Sequence, residues 1–190
     1  MIDKERIAMR LVDIGRYASV LGSITPGTYG AYTKSEITTK AAVERYLQLI
    51  SDLELEVLTL AYKGLDLGIA GSEESLTSKF EKLLSKKVVE GFKRRRALRN
   101  LLVHAYFDMH YDKDAFEQAS NRGDINDFVK EIKVFVSSWE YFAKGYFANL
   151  KIFALYYKFR AICNRLGTKW HRIVWHCISS AKRLIYRCNL

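Results

Sequence analysis

The chain has 190 residues, of which 49% are hydrophobic and 27% are charged, so it is long enough to bury a real core and has a globular composition. No apolar run is long enough to span a bilayer without charges, and the first residues, MIDKER, do not resemble a signal peptide. These features exclude a membrane-spanning protein, and we expect a cytoplasmic one.

The net charge of +10 is concentrated at one end of the chain. Residues 1–140 hold 21 basic and 21 acidic residues, whereas residues 141–190 hold 10 basic residues and no acidic one. All three cysteines, Cys163, Cys177 and Cys188, lie in the same segment. Their spacing matches no zinc motif, and an odd number disfavours a disulfide framework, so we expect reduced thiols.

Hydrophobic periodicity predicts helices along the chain. The first is expected over residues 2–21, followed by a loop over residues 22–30 that holds the only proline and three glycines. A second helix is predicted to begin near Ser35, a plausible N-cap, and to end near Tyr62. After a break at residues 64–71, a shorter helix is expected over residues 72–84 and a longer one over residues 88–109.

Two more helical segments complete the predicted domain. One is expected over residues 114–120, and Asp124 is predicted to cap a long helix after it. We find neither strand alternation nor an internal repeat. The sequence therefore predicts an all-α fold, an up-and-down bundle of four to five helices formed by residues 1–142.

Residues 143–190 have the pattern of a basic amphipathic helical extension. Apolar residues recur at helical spacing between Trp170 and Cys188, and most basic residues lie off that stripe. Three interpretations are open for this extension: a basic arm that binds RNA or a partner, an interfacial helix, or a lineage-specific or unselected addition.

The most informative segment is RNLLVHAY, residues 99–106. At about 100° per residue, Arg99, Asn100, His104 and Tyr106 all lie off the apolar stripe of their predicted helix. An imidazole can move protons near neutral pH, and a guanidinium binds phosphate oxygens. An arginine and a histidine on one polar face suit acid–base chemistry on a phosphodiester. The predicted apolar stripe consists of Leu98, Leu101, Leu102, Ala105 and Met109.

This segment resembles the signature of HEPN-domain ribonucleases, and its tyrosine makes it most similar to the HepT toxins of prokaryotic toxin–antitoxin pairs. The sequence AVERYLQLI, residues 41–50, resembles the second helix of that family, and the stretch with Asp108, Tyr111 and Asp112 also fits. The resemblance covers roughly residues 2–140 and implies a HEPN-type bundle. Family members end near the long fifth helix, which favours an unselected or lineage-specific extension.

The resemblance implies a metal-independent endoribonuclease that needs no cofactor. In such an enzyme the RNA 2′-OH attacks its own phosphate, with His104 as general base or acid and Arg99 stabilising the developing charge. The resemblance also implies an MNT-type nucleotidyltransferase antitoxin that AMPylates Tyr106. Because Arg99 and His104 are about 140° apart on the helix, we expect a homodimer that pairs two copies of this helix.

Several residues have alternative interpretations. Asn100 lies one turn before His104, and three interpretations of it are open: it orients the imidazole, it binds the scissile phosphate, or it is a surface amide without a role in the site. Considered without its neighbours, Arg99 is compatible with a role as an ion-pair partner, and Tyr106 is compatible with a role as a packing residue. The run KRRR, residues 93–96, is either a solvated face or holds RNA backbone through Arg95 and Arg96. The rival function is a non-catalytic helical adaptor that binds a nucleotidyltransferase, which the neutral charge of residues 1–140 favours.

Overall fold

The computed structural model describes residues 3–64, 71–81, 83–104 and 111–143, without the side chains of His104 and of residues 139–143. Every element in these ranges is a helix, so the predicted all-α fold is confirmed. The chain divides after Lys133 into two compact units. The described residues cover most of the first unit, and beyond Lys133 they continue as the last helix to Ala143. The helices are α1 (Lys4–Ile24), α2 (Tyr29–Thr33), α3 (Ile37–Gly64), α4 (Glu73–Phe80), α5 (Lys86–His104), α6 (Asp112–Ser120) and α7 (Gly123–Ala143).

An extensive packing interface joins α1 to α3. Helix α1 begins at Lys4 because the carboxylate of Asp3 accepts a hydrogen bond from the backbone N–H of Arg6, at 3.0 Å. Apolar residues recur every three or four positions along it, so one stripe of the helix is buried. The buried residues of α1 are Ile7, Leu11, Ile14, Ala18 and Leu21.

The predicted loop at residues 22–30 is shorter than expected and contains the start of a helix. Helix α1 continues to Ile24, and Thr28 caps the five-residue α2 by accepting a hydrogen bond from the backbone N–H of Ala31. The ring of Tyr32 in α2 is completely buried and contacts Phe116 of α6. The short helix therefore packs against α6.

The other helices agree with the sequence to within a few residues, with corrections at the starts of α3 and α7. Ser35 does not cap α3, because α3 begins at Ile37 and the hydroxyl of Ser35 donates to the backbone oxygen of Ala31 in α2. Ser72 caps α4, which ends at Phe80, earlier than the predicted residue 84, and α3 ends at Gly64.

Asp124, however, lies inside α7, which begins at Gly123. Asp124 is only 5% exposed; its Oδ1 accepts a hydrogen bond from the backbone N–H of Ile125 in the first turn of α7 at 2.9 Å, and its Oδ2 accepts from Arg95 on α5.

The apolar core of the first unit is formed by large side chains from all the longer helices. None of the described helices combines the length and the apolar character needed to cross a membrane. The division into a domain of residues 1–142 and an extension of residues 143–190 stays a prediction. The fully buried large apolar residues of the first unit are Ile7, Ile14, Leu21, Tyr32, Ile50, Leu58, Phe80, Ile125, Phe128 and Ile132.

Candidate functional site

The candidate site lies at the C-terminal end of α5, which carries Arg99, Asn100 and His104. The side chain of Arg99 is 28% exposed, and Asn100 is exposed. His104 is the last residue of α5 that the structure describes, and its side chain is outside the described part. Tyr106 lies outside the described residues altogether. The structure therefore shows the arginine side of the site in detail.

The guanidinium of Arg99 is held from α3. Its Nε donates a hydrogen bond to Oδ1 of Asp52 at 3.1 Å, and its Nη1 lies 3.5 Å from Oδ1 of Asn100. The stronger contact therefore uses the Nε edge of the group. A guanidinium binds an anion in a fork either through Nε and one terminal nitrogen or through its two terminal nitrogens, and with Nε of Arg99 occupied the second edge is left for a phosphate.

The basic run at residues 93–96 is neutralised by carboxylates of the same chain. Two of its side chains, Lys93 and Arg94, are more than half exposed, but each still lies within 4 Å of a carboxylate oxygen. The run therefore offers less free positive charge than its sequence suggests. The ion pairs are Lys93 with Glu81, Arg94 with Asp124, Arg95 with Glu54 and Asp124, and Arg96 with Asp52 and Glu73.

Arg95 is buried in an ionic triad that joins α3, α5 and α7. Its Nε and Nη2 donate to the two oxygens of Glu54 at 2.8 and 2.7 Å, and its Nη1 donates to Asp124 at 2.7 Å. The side chains of Arg95 and Glu54 are 2% and 0% exposed. A guanidinium enclosed in this way does not reach a ligand, so this placement differs from the expectation that Arg95 contacts RNA.

Burial and pairing act in opposite directions on the charges of this triad. Burial raises the pKa of Glu54 above its ordinary value, although Arg95 opposes the shift. Burial alone would lower the pKa of Arg95, but Glu54 and Asp124 raise it above its ordinary value. Arg95 therefore stays charged, and the triad depends on its two carboxylates for compensation.

Arg96 is also engaged inside the protein. Its Nη1 donates to Asp52 at 3.0 Å, and its Nε and Nη2 donate to both oxygens of Glu73 at 3.1 and 2.5 Å. Its side chain is 10% exposed. The guanidinium thus connects α3 with α4, and the expectation of an RNA contact does not agree with this placement either.

Sequence reasoning missed the buried partners of these arginines. Glu54 lies on the apolar stripe of α3 between Ile50 and Val57, and a charged residue in such a position is the signal that it has a buried partner. Gly91, one turn before Arg95, also belongs to the arrangement. A Cβ atom at Gly91 would overlap the carboxylate of Asp124, so glycine provides the space that this carboxylate occupies.

The apolar stripe of α5 also differs from the prediction. Leu98 is buried as expected, but Leu101 is 48% exposed. The buried face of α5 instead runs through Val88, Phe92, Arg95 and Leu98, and it turns away from Leu101 at the end of the helix. The expectation that Leu101 belongs to the core was wrong, because it lines the open groove between α5 and α6. Leu102 is half-buried, and Ala105 and Met109 lie outside the described residues.

Open grooves flank α5 on both sides. The groove between α5 and α6 has a volume of about 340 Å³, and the groove between α4 and α5 has a volume of about 460 Å³. Leu101 and Arg94 line the first, and Arg96 and Glu73 line the second. Within the ranges that the structure describes, no group of three or more His, Cys, Asp or Glu residues is arranged to hold a metal ion.

The helices that carry this site lie in a segment of the chain that matches a known protein family. The family model described as Ribonuclease HepT-like matches residues 14–132, a range that runs from α1 into α7 and includes the Arg99–His104 segment. The chain belongs to the HepT-like ribonuclease family. The resemblance inferred from RNLLVHAY is thereby confirmed. No curated protein sequence gives a significant match.

Solved structures share the fold of this HepT-like chain at low sequence identity. One is the tri-AMPylated HEPN toxin of Shewanella oneidensis in complex with an MNT antitoxin, which has 21% identity, a TM-score of 0.60 and coverage of 70% of this chain and 98% of the other. A second is a variant of the MntA–HpeT toxin–antitoxin, with 19% identity, a TM-score of 0.59 and coverage of 67% and 96%.

A third similar structure is the cytosolic protein of unknown function YutE from Bacillus subtilis. It has 18% identity, a TM-score of 0.60 and coverage of 72% of this chain and 92% of the other. The three structures confirm the HEPN-type helical fold of this HepT-like chain.

Proposed function

We propose that this HepT-like chain is the toxin of a toxin–antitoxin pair and that it acts as an endoribonuclease. The observation that carries the proposal is the Arg99–Asn100–His104 arrangement at the end of α5, in a chain that belongs to a ribonuclease family. The Shewanella oneidensis protein with the same fold is a toxin, which supports the proposed biological role.

The proposed reaction is transesterification without a metal ion. The 2′-oxygen of RNA attacks the adjacent phosphorus, the bond from phosphorus to the 5′-oxygen breaks, and a 2′,3′-cyclic phosphate and a 5′-OH remain. His104 takes the proton of the 2′-OH or gives one to the leaving 5′-oxygen. Arg99 stabilises the negative charge that develops on the phosphate oxygens.

The proposed substrate-binding residues are Arg99 and Asn100, and we omit Arg95 and Arg96 because their guanidinium groups are engaged inside the protein. The exposed side of Arg99 faces solvent beside Asn100. An amide that can both donate and accept hydrogen bonds is suited to orient either a phosphate oxygen or the imidazole of His104.

We propose that the site is completed by a second copy of the chain. Arg99 and His104 are about 140° apart on α5, a wide separation for two groups that act on one phosphate. A two-fold axis beside this helix would bring both copies of each residue to one cleft. The exposure of Leu101, between the two residues, supports an interface there, because a large apolar side chain at 48% exposure gains from being covered.

The proposed partner is an MNT-type nucleotidyltransferase antitoxin that AMPylates Tyr106. The name of the Shewanella oneidensis structure, a tri-AMPylated toxin with an MNT antitoxin, supports this part of the proposal. Arg99 and Tyr106 are seven residues apart, so a helix continuing through Tyr106 would place them on nearly the same side. An AMP phosphate on Tyr106 would then compete with RNA for Arg99.

The nuclease proposal is tested with purified protein and RNA in EDTA. We expect wild type to cleave RNA but not an all-deoxy strand, because the 2′-OH is the nucleophile. Arg99→Ala and His104→Ala should each abolish cleavage, and Arg16→Ala, which changes an exposed arginine on α1, should have no effect. Cleavage by either site variant at the wild-type rate would remove that residue from the proposed site.

A second candidate function is that of a non-catalytic adaptor that binds a nucleotidyltransferase. The pairing of residues 93–96 with carboxylates favours it, because this pairing leaves little positive charge beside the motif to attract RNA. The adaptor predicts no cleavage by wild type and a stable complex with the nucleotidyltransferase that survives Arg99→Ala and His104→Ala.

A further inference from the structure

We infer that Asp52 is a positioning residue for Arg99, and this inference rests on the proposed function of that arginine. Asp52 lies on α3, and its side chain is 46% exposed. A single oxygen, Oδ1, accepts hydrogen bonds from Nε of Arg99 at 3.1 Å and from Nη1 of Arg96 at 3.0 Å. One carboxylate thus fixes two arginines that are three residues apart on α5.

Asp52 is itself held in place by the better buried of its two partners. Arg96 is 10% exposed and binds both oxygens of Glu73 on α4. A continuous series of ion pairs therefore runs from Glu73 through Arg96 and Asp52 to Arg99. Because Glu73 on α4 holds Arg96, the contact of Arg96 with Asp52 anchors Oδ1 of this carboxylate. The anchored carboxylate can then hold Arg99 in place.

The geometry favours positioning over masking. Asp52 contacts Arg99 through Nε, so the edge formed by the two terminal nitrogens, one of the two edges through which a guanidinium binds an anion in a fork, is left for a phosphate. Asp52 also shares its negative charge with Arg96, so it does not have to cancel the charge of Arg99 alone. A free arginine side chain would lose rotational freedom when it binds, and a guanidinium already held at Nε loses less.

The test compares Asp52→Ala with Asp52→Asn in cleavage of RNA under conditions where wild type and Arg99→Ala differ. Asn keeps an oxygen that accepts from Nε of Arg99, so it should retain most of the wild-type kcat. Asp52→Ala should lower kcat on the order of 10- to 100-fold, as expected when a charged group is misplaced by about 1 Å, with a much smaller change in KM. The control Glu90→Ala removes an exposed carboxylate that pairs with Lys86 on the same helix, and it should leave both constants unchanged.

Three results would overturn the inference. An unchanged kcat in Asp52→Ala would show that Arg99 needs no support, and an increased kcat would show that Asp52 masks it. An equal loss of kcat in the Ala and Asn variants, together with a lowered unfolding temperature, would mean that Asp52 serves only the stability of the fold.

A spectroscopic measurement separates this inference from the proposed function. In a ¹H–¹⁵N spectrum the Nε–H signal of Arg99, assigned by its loss in Arg99→Lys, should be present in wild type and in Asp52→Asn. In Asp52→Ala it should shift or broaden through exchange with water. If wild type cleaves no RNA but this pattern is found, the proposed function fails and the contact stands. An Arg99 signal that is the same in all three proteins overturns the positioning role.

Discussion

Replacing Gly91 by alanine should destabilise the protein, although alanine is the better helix former. At an exposed helix position the change from glycine to alanine stabilises by about 0.5–1 kcal/mol. At Gly91 the new Cβ would overlap the carboxylate of Asp124 and lie 2.9 Å from its Cγ. Asp124 is only 5% exposed and is bonded to Arg95, so it cannot move aside without weakening the buried triad.

The expected size of the effect follows from these two opposing contributions. Overpacking in a well-packed interior costs about 1–3 kcal/mol, and a complete break of a buried ion pair costs about 3–5 kcal/mol. A partial displacement of Asp124, less the gain in helix propensity, should therefore lower the free energy of unfolding by about 1–3 kcal/mol.

Urea denaturation followed by circular dichroism measures this change, at one protein concentration because an oligomer would make stability concentration-dependent. Gly15→Ala is the matched control, since Gly15 lies inside α1 with no atom within 4 Å of a new Cβ. It should gain about 0.5–1 kcal/mol. If Gly91→Ala gains as much as the control, the carboxylate of Asp124 does not occupy the space beside Gly91, and the reasoning is refuted.

Three further predictions concern the triad and the extension. Arg95→Met should lower the free energy of unfolding by about 3–5 kcal/mol, because it leaves two carboxylates buried without their counter-charge. Adding Glu54→Gln to this variant should restore part of the lost stability. A double variant that is no more stable than Arg95→Met in urea denaturation would contradict the prediction. Burial raises the pKa of Glu54 above its ordinary 4.5, so the folded state binds a proton at Glu54 more tightly than the unfolded chain does. The stability of wild type relative to Glu54→Gln should therefore increase as the pH falls from 7 towards 4.5. A stability difference that stays constant over this range would argue against the prediction. Residues 1–144 alone should still cleave RNA, with weaker and less salt-sensitive binding, and a folded protein of this length without cleavage would show that the extension carries part of the site.

The sequence was sufficient to predict the fold because each long helix has a regular apolar stripe. It was not sufficient for α2, since Tyr29–Thr33 spans less than two turns and follows a proline and a glycine, which indicate a loop. The start of α7 was misjudged for another reason. Asp124 has the residue type of an N-cap and one of its oxygens does bind a first-turn N–H of α7, but only the structure shows that its other oxygen binds Arg95 on α5.

For the site, the sequence identified the helix and the family but not the charge balance around them. Arg95 and Arg96 look like a free basic run because their partners lie 23 to 44 residues away in the chain. Periodicity reports which face of a helix is apolar, and it does not report which distant carboxylate meets a given arginine. The contact of Asp52 with Arg99 was missed in the same way. The roles of His104 and Tyr106 stay predictions.

The buried triad determines how α5 can move. A helix that packs only through apolar side chains can rotate slightly or slide along its neighbour with little change in buried area. A shift of α5 by one residue would turn Arg95 by about 100° and leave Glu54 and Asp124 enclosed without a counter-charge. Helix α5 therefore has a single rotational setting, which it keeps or loses as a whole. Turning α5 about its axis is therefore not a low-energy motion of this chain.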